Sequence, residues 1–259
     1  MVAASTTSPL AVLGSGSLTA YWRFQRAVAA AQLQAWLPRG GQVLLDISGP
    51  QSAGAAQAAT SGYAVIRVLP QLPAGPTRSP PRVSTLVADP GRLSFLADGT
   101  VDGVIADDGA LSAHVMAEDV AAEISRVLRP GGQLLACVDS LVLGMSILAE
   151  QHHWAELTDL PQAEVVLIPW PDGRITRCFG PDQLSDLLAE AGLEVSWIRP
   201  RTVLSPSTVD HVLRKEPGSI TRLVRAEMAA GEEAAPAAGG SGSFGMYLLA
   251  AARKPGVLA

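Results

Sequence analysis

The stretch from Val101 to Asp139, VDGVIADDGALSAHVMAEDVAAEISRVLRPGGQLLACVD, decides the fold of this 259-residue chain. It begins with a short apolar run that ends at Asp107, and it closes with a second apolar run, LLACV. Between these runs, apolar residues recur every three or four positions and define one face of a helix: Met116, Val120, Ile124, Val127 and Leu128. Acidic residues come early in this helix and arginines late, as the helix dipole favours. The stretch therefore predicts a strand, a helix and a second strand, a unit typical of parallel sheets.

The helix is predicted to stop at Pro130-Gly131-Gly132, because proline disfavours helical backbone in the residue before it and glycine accepts a tight turn. The whole unit, with its R-V-L-R-P-G-G-Q-L-L turn, resembles the class I S-adenosylmethionine-dependent methyltransferases, in which this turn precedes the fifth strand. The resemblance covers roughly residues 43–253. It implies an α/β fold with a Rossmann-like, seven-stranded, mostly parallel sheet. Helices cover both faces, and the last strand is antiparallel and inserted beside the sixth.

Composition limits the classes of partner. The chain is 48% hydrophobic and 5% aromatic and carries a net charge of −5. This length suffices for one large α/β core, and the acidic balance without a long basic run disfavours nucleic acid. Apolar runs stay below the ~18 residues that a membrane helix needs. No basic segment followed by an apolar one opens the chain, so we expect a cytoplasmic protein. Its expected partner is a small molecule, and the sequence allows a homo-oligomer.

We expect a single domain over residues 1–259 with distinct regions along it. These are an N-terminal cap helix over 18–37, a cofactor-binding half over 43–139, a substrate-side insertion over 140–180 and a flexible loop over 229–243. The last is rich in Ala, Gly, Ser and Glu, a composition that favours disorder. Within the insertion we expect a helix from Leu143 to Leu157 and then a hairpin that turns at Pro171-Asp172-Gly173.

The cofactor site is expected beyond the carboxyl ends of the strands, where strand order reverses in a doubly wound sheet. The resemblance implies that S-adenosylmethionine binds there. It assigns Asp46 and Gly49, which follow the first strand, to the acid and to one of the glycines that the family carries in this loop. Ser48 stands where a glycine is common in the family. An ordinary strand-to-helix turn explains the same loop equally well.

The end of the second strand departs from the family, whose members usually carry an acid there that binds both ribose hydroxyls. No Asp or Glu occurs between Asp46 and Asp89. Arg67 lies in the predicted strand, and Gln71, which follows it, is the neutral side chain that could bond a ribose hydroxyl. After the third strand, Asp89 and Pro90 resemble the place where the family's acid accepts a hydrogen bond from the adenine amino group. The alternative for Asp89 is a solvated turn aspartate.

Candidate catalytic residues follow the fourth strand. The resemblance places Asp107 and Asp108 beside the methionine moiety and the methyl group, where either acid could contact the cofactor or orient a substrate. For Asp108 the favoured alternative is a water-facing residue that caps a helix. His114 could accept a proton from a substrate hydroxyl, because the pKa of histidine ordinarily lies near neutrality. Asp107 and His114 are therefore the catalytic candidates, and Asp107 is also a cofactor-binding candidate.

Two further regions carry polar residues without a clear assignment. Arg199 and Arg201 follow the predicted sixth strand and either bind an anionic substrate or lie in solvent. The neighbouring His152 and His153 do not have the i, i+4 spacing that puts two ligands on one face of a helix, so no metal site is predicted.

These matches predict an S-adenosylmethionine-dependent methyltransferase that transfers the methyl group directly to a small molecule. Such an enzyme has to align donor and nucleophile and exclude water, so it needs no fixed triad. The missing ribose acid and the glycine-poor first loop favour a second hypothesis, a catalytically inactive methyltransferase-fold protein that binds or regulates. A nicotinamide-dependent oxidoreductase is disfavoured, because the first loop lacks G-x-G-x-x-G.

Overall fold

The computed structural model describes residues 19–38, 42–49, 52–71, 80–160, 163–170, 172–234 and 245–256. Its strands are β1 (Val43–Asp46), β2 (Ala64–Leu69), β3 (Val83–Val87), β4 (Val101–Ala106), β5 (Leu128–Asp139), β6 (Val166–Pro169), β7 (Ile175–Cys178), β8 (Glu194–Arg201) and β9 (Tyr247–Arg253). Its helices are α1 (Thr19–Trp36), α2 (Gly54–Thr60), α3 (Ala117–Val127), α4 (Leu141–Glu150), α5 (Trp154–Asp159), α6 (Pro181–Glu190), α7 (Pro206–Lys215) and α8 (Ile220–Glu233). A short 3-10 helix, Pro217–Ser219, joins α7 to α8.

The main sheet has seven strands in the order β3-β2-β1-β4-β5-β9-β8. Strands β1 to β5 pair in parallel, whereas β9 lies between β5 and β8 and is antiparallel to both. The predicted α/β fold, with its inserted antiparallel last strand, is therefore confirmed. Strand order reverses between β1 and β4. The carboxyl ends of β1, β4, β5 and β8 lie on one edge of the sheet, together with the start of β9.

The stretch that predicted the fold forms the centre of the core. Every residue of β4 is buried, and the apolar face of α3 (Val120, Ile124, Val127) packs against the sheet with no exposed surface. On the opposite face, Leu33 of α1 and small residues of α2 pack against β1 and β5. Burial of the central strands on both faces explains why β1 and the second half of β5 are continuous apolar runs.

The Pro130-Gly131-Gly132 segment differs from the predicted tight turn, because β5 already begins at Leu128. Val101 pairs with Leu128 and Gly103 with Gln133, so residues 129–132 form an irregularity within the strand pair. The segment after β9 holds it in place. The Gly131 N–H donates to the Lys254 carbonyl at 2.9 Å, and the Lys254 ammonium donates to the Leu128 carbonyl at 2.9 Å. These long-range hydrogen bonds extend the strand where the local sequence indicated a turn.

Two helix boundaries also differ from the prediction. The helix expected from Leu143 to Leu157 is divided into α4 and α5, because His152 adopts a left-handed backbone conformation with φ of 59°. The flexible loop expected over 229–243 is helical up to Glu233, since α8 packs its buried residues Glu227 and Gly231 toward β8. Residues 235–243 of that predicted loop lie outside the described residues.

The predicted hairpin is present as the antiparallel pair β6–β7, and Pro171 of its turn lies outside the described residues. The predicted cap helix is α1, which packs Tyr21, Phe24 and Val28 against α7; Leu18 lies outside the described residues. No helix in the described part of the chain combines the length and the apolar character needed to cross a membrane.

Candidate functional site

Asp46, the last residue of β1, is fully buried. Its Oδ1 accepts a hydrogen bond from the Ser48 backbone N–H at 2.9 Å, while its buried Oδ2 has no partner among the described residues. Burial raises the pKa of this carboxyl, whereas its bonds to Ser48, the charge of Arg67 on β2 and, least, the Ala55 backbone N–H lower it. A buried acceptor without a partner costs free energy, so Oδ2 is a position where a ligand donor would be favourable.

The loop after β1 lies against the loop after β4. The Asp107 backbone N–H donates to the Ser48 hydroxyl at 2.9 Å. A Cβ atom placed on Gly49 would lie 2.7 Å from Oδ2 of Asp108, closer than real Cβ contacts come. A side chain on Gly49 would therefore force the Asp108 carboxylate to move. The structure thus brings together four of the predicted site residues, Asp46, Ser48, Gly49 and Asp107.

Asp107 and Asp108 have different environments although they are adjacent. Asp107 is largely buried and forms an ion pair with Arg201, with Nη1 and Oδ1 2.6 Å apart. Asp108 and Gly109 both have left-handed backbone, with φ of 57° and 70°, and the turn directs Asp108 toward Gly49. The Asp108 side chain remains solvent-accessible although protein atoms surround it, as expected in a cleft. Lost solvation, followed by repulsion from Asp107, raises the pKa of Asp108 to about 6.

Arg201, at the carboxyl end of β8, is buried, so it does not lie in solvent. Its Nε donates to Oε1 of Gln32 on α1 at 2.6 Å, and its Nη2 has no partner among the described residues. The next residue, Thr202, adopts φ of 69°, a strained value for a β-branched side chain. The buried Glu227 carboxylate accepts the N–H groups of residues 203 and 204. These contacts fix the backbone around Arg201 and hence its guanidinium.

Asp139, at the end of β5, is a site residue that the sequence did not single out. It is 5% exposed, and the Thr176 hydroxyl of β7 forms a hydrogen bond with its carboxyl group. Burial, followed by the charge of Asp108, raises its pKa to about 7. A usable signal was present, since Asp139 directly follows the apolar run LLACV and strand ends are where such sites form.

Among the described residues, the remaining predicted site residues form no hydrogen bond with this group. Gln71 is exposed after β2. Asp89 is exposed, and its Oδ1 accepts the Gly91 N–H at 2.9 Å within its own turn, while Pro90 is buried. His114 is half-buried in the turn before α3, where its backbone N–H bonds the Leu111 carbonyl. These hydrogen bonds of Asp89 and His114 are local and do not connect either residue to the strand ends that carry the buried acids.

Asp107, Asp108, Asp139 and Arg201, hereafter the carboxylate cluster, come from three different strand ends. Only one of the three acids is paired with the arginine, so the cluster can balance a cationic ligand or take up a proton. In the described part of the chain, no group of three or more His, Cys, Asp or Glu residues is arranged to hold a metal ion.

Comparisons with known proteins agree with the fold. Residues 30–136 match the family model described as "Methyltransferase domain". A putative S-adenosylmethionine dependent methyltransferase from Listeria monocytogenes has a TM-score of 0.58 at 13% identity, over 90% of this chain and 99% of that one. A methyltransferase from Methanosarcina mazei has a TM-score of 0.54 at 14% identity, over 87% and 97%.

A third similar structure is the 1,6-didemethyltoxoflavin-N1-methyltransferase of Burkholderia thailandensis, with bound 1,6-didemethyltoxoflavin and S-adenosylhomocysteine. Its TM-score is 0.54 at 18% identity, over 98% of this chain and 93% of that one. At these identities the structural matches show the fold. No curated protein matches the sequence.

Proposed function

We propose that this protein is an S-adenosylmethionine-dependent methyltransferase acting on a small molecule, a proposal supported by the match of residues 30–136 to the methyltransferase-domain family model. The observation that carries the proposal is the close approach of the loops after β1 and β4, and the crevice is expected between them. It lies where strand order reverses, the place where doubly wound sheets bind ligands, and it contains the partnerless Oδ2 of Asp46 beside the closely approached Gly49.

The residues of the crevice fit the cofactor. Gly49 allows the backbone to approach a ligand closely, and Asp46 offers a buried acceptor for an N–H or O–H group. Asp108 adds an accessible carboxylate for a group with positive charge. The cofactor supplies an activated methyl group on a sulfonium, so the protein has to position the acceptor, exclude water and receive a proton. The ion pair of Arg201 with Asp107, together with the Gln32 contact, ties α1 to the sheet edge and so closes one side of the crevice.

A small-molecule acceptor is supported by two observations. The net charge of −5 and the carboxylate cluster disfavour a polyanion such as nucleic acid. In addition, the β6–β7 hairpin lies over the ends of β4 and β5, because the Arg177 N–H donates to the Ser112 carbonyl at 2.8 Å. A hairpin placed there would limit the size of molecule that reaches Asp139. The structurally similar 1,6-didemethyltoxoflavin-N1-methyltransferase holds a small molecule, 1,6-didemethyltoxoflavin.

One observation favours a second function, a methyltransferase-fold binding module without catalysis. The family usually has a ribose-binding acid at the end of β2. Here Arg67, two residues before that end, is directed toward the first loop, and its Nη2 donates to the Ser52 carbonyl at 3.3 Å. The arginine thus lies beside Asp46 on the neighbouring strand. If its side chain occupies the ribose position, the crevice binds the cofactor weakly.

Calorimetric titration of S-adenosylmethionine and S-adenosylhomocysteine into the purified protein tests the proposal. We expect micromolar dissociation constants for both, about −8 kcal/mol of binding free energy. Absence of binding at millimolar ligand would contradict the methyltransferase proposal. Arg67→Gln separates the two functions. A large gain in affinity for S-adenosylmethionine would indicate that Arg67 occupies the ribose position, whereas unchanged affinity would indicate that the cofactor binds without contacting Arg67.

A further inference from the structure

We propose that Asp108 takes the proton of the methyl acceptor, and that the neighbouring buried Asp139 stays neutral beside it, so that the two carboxyls carry one negative charge. The inference rests on the function proposed above and adds a proton acceptor to it. It also limits the acceptor to molecules whose nucleophile is an O–H or N–H group.

The geometry orders the residues along the edge of the sheet. Asp108 lies against Gly49 on the side of the β1 loop. On the other side, a Cβ placed on Gly109 would lie 3.6 Å from Oδ1 of Asp139, so the β4 turn and the end of β5 are in close contact. Asp108 therefore stands between the loop assigned to the cofactor and Asp139. An acceptor molecule that approaches from the side of the β6–β7 hairpin meets Asp108 next to the methyl donor.

Asp139 is held by a directed chain of hydrogen bonds from the hairpin. The Trp170 indole Nε1, which can only donate, bonds the Thr176 hydroxyl at 2.7 Å. That hydroxyl has a single proton, which is therefore free to be donated to the carboxyl group of Asp139. The Asp139 backbone N–H in turn donates to the Ser112 hydroxyl at 2.8 Å. Since Thr176 donates and Asp139 accepts, the chain fixes the carboxyl group without removing its ability to carry charge.

The charges around the pair favour one shared negative charge over two. Asp108 faces Asp107 and Asp46, which oppose its ionisation, and Arg201, which favours it. Asp139 faces Asp108 and is favoured in its charged form by Thr176 and Arg174. The other titratable groups near Asp139 are Tyr247, Cys137 and Cys178, whose pKa values burial raises, so they remain neutral. The pKa values of the pair, about 6 and about 7, lie in the range useful to a general base.

The proton transfer to Asp108 accompanies the transfer of the methyl group. A lone pair on the acceptor oxygen or nitrogen forms the new bond to the methyl carbon as the carbon–sulfur bond breaks, and the electrons of that bond remain on sulfur. The acceptor loses its proton to the ionised Asp108, which becomes a neutral carboxylic acid and later returns the proton to solvent. No oxidant, reductant or metal is consumed.

The first test needs no knowledge of the acceptor. S-adenosylmethionine carries a sulfonium charge that S-adenosylhomocysteine lacks. If Asp108 lies beside it, binding of the methylated form lowers the pKa of Asp108 and releases more protons near pH 6. Calorimetry of both ligands in two buffers of different ionisation enthalpy measures this difference. We expect this difference in proton release in the wild-type protein and in Asp186→Asn, a control that removes the same charge at an exposed position. We expect the difference to disappear in Asp108→Asn. Equal proton release by both ligands would overturn the assignment of Asp108.

The second test addresses the coupling and uses the protein without ligand. In ¹³C-carboxyl aspartate NMR titrations, Asp108→Asn removes the charge that raises the pKa of Asp139. We therefore expect the Asp139 midpoint to fall below about 7 in Asp108→Asn. A wild-type Asp108 midpoint near 4, or an Asp139 midpoint that is unchanged in Asp108→Asn, would refute the pair. Failure of cofactor binding together with intact coupling would instead refute the proposed function.

Discussion

Arg201 at the end of β8 forms a buried ion pair with Asp107 at the end of β4, with Nη1 and Oδ1 2.6 Å apart, across the ends of two intervening strands. The Arg201 side chain is 6% exposed and that of Asp107 is 15% exposed. The two charges are therefore poorly screened by solvent, and each depends on the other for compensation. This pair connects the α1 side of the fold, through Gln32, to the loop that carries Asp108.

Arg201→Ala leaves Asp107 buried without its partner. We expect it to lower the free energy of unfolding by about 3–5 kcal/mol, measured by urea denaturation. Arg253→Ala, which removes an exposed ion pair with Glu194, is the matched control and should cost less than about 1 kcal/mol. Equal effects for the two variants would show that the Arg201 pair is exposed to solvent.

Gly49→Ala places a methyl group where only 2.7 Å separates it from Oδ2 of Asp108. Because the Asp108 side chain is accessible and can rotate away, we expect the fold to persist while the crevice changes shape. Affinity for S-adenosylmethionine should fall about tenfold or more, about 1.4 kcal/mol, in a calorimetric titration. Gly218→Ala, where the added Cβ meets open space, should bind like the wild type, and unchanged binding by Gly49→Ala would separate this loop from the cofactor site.

Asp89→Ala tests the adenine assignment that the sequence suggested. If the Asp89 carboxylate accepts a hydrogen bond from the adenine amino group, its loss should weaken cofactor binding about 5- to 10-fold, the value of one such bond. Asp89→Asn retains an oxygen for the Gly91 turn and should lose less. Unchanged affinity for S-adenosylmethionine in Asp89→Ala would indicate that Asp89 stabilises its turn and does not bind the cofactor.

Ionisation of Asp139 makes the free energy of unfolding decrease as the pH rises. Its pKa of about 7 in the folded protein lies above the ordinary value, mainly because of burial. Its contribution to stability is therefore complete below about pH 4 and is lost as pH rises through about 7. Asp139→Asn should gain stability relative to the wild type between about pH 5 and about pH 8, on the order of 1 kcal/mol per unit of pKa shift. Urea denaturation at the two pH values measures the free energy of unfolding of the variant and of the wild type, with Asp186→Asn as control. If the variant and the wild type differ by the same amount at both pH values, Asp139 is ionised at both.

Val127→Asp tests the face of α3 that the sequence periodicity defined. Val127 has no exposed surface, and an unpaired charge at that depth costs several kcal/mol, so we expect loss of the cooperative thermal transition in circular dichroism. Met116→Asp is the control at the other end of the pattern, since Met116 is 61% exposed at the N-cap of α3 and aspartate is favourable there. A cooperatively melting Val127→Asp would mean that this face does not pack on the sheet.

The sequence by itself determined the strand–helix–strand unit, the positions of most strands and the α/β class, because these depend on local periodicity and on turn residues. It also located Asp46, Ser48, Gly49 and Asp107 at strand ends, where the structure brings them together. The turn predicted at Gly131 was wrong, because hydrogen bonds between residues 131–132 and Lys254 extend the strand through this segment.

Only the tertiary structure decided how the charges of the site are distributed. Asp107 and Arg201 are 94 positions apart in the chain, and Asp139 meets Thr176 from a separate hairpin. The sequence favoured a helix-capping role for Asp108, but the N-cap of α3 is Met116. Asp107 and Asp108 differ because one is directed toward Arg201 and the other toward Gly49. Periodicity specifies which residues share a face, but the order of strands in the sheet specifies which strand ends meet, and the pKa values of their carboxyl groups follow from that meeting.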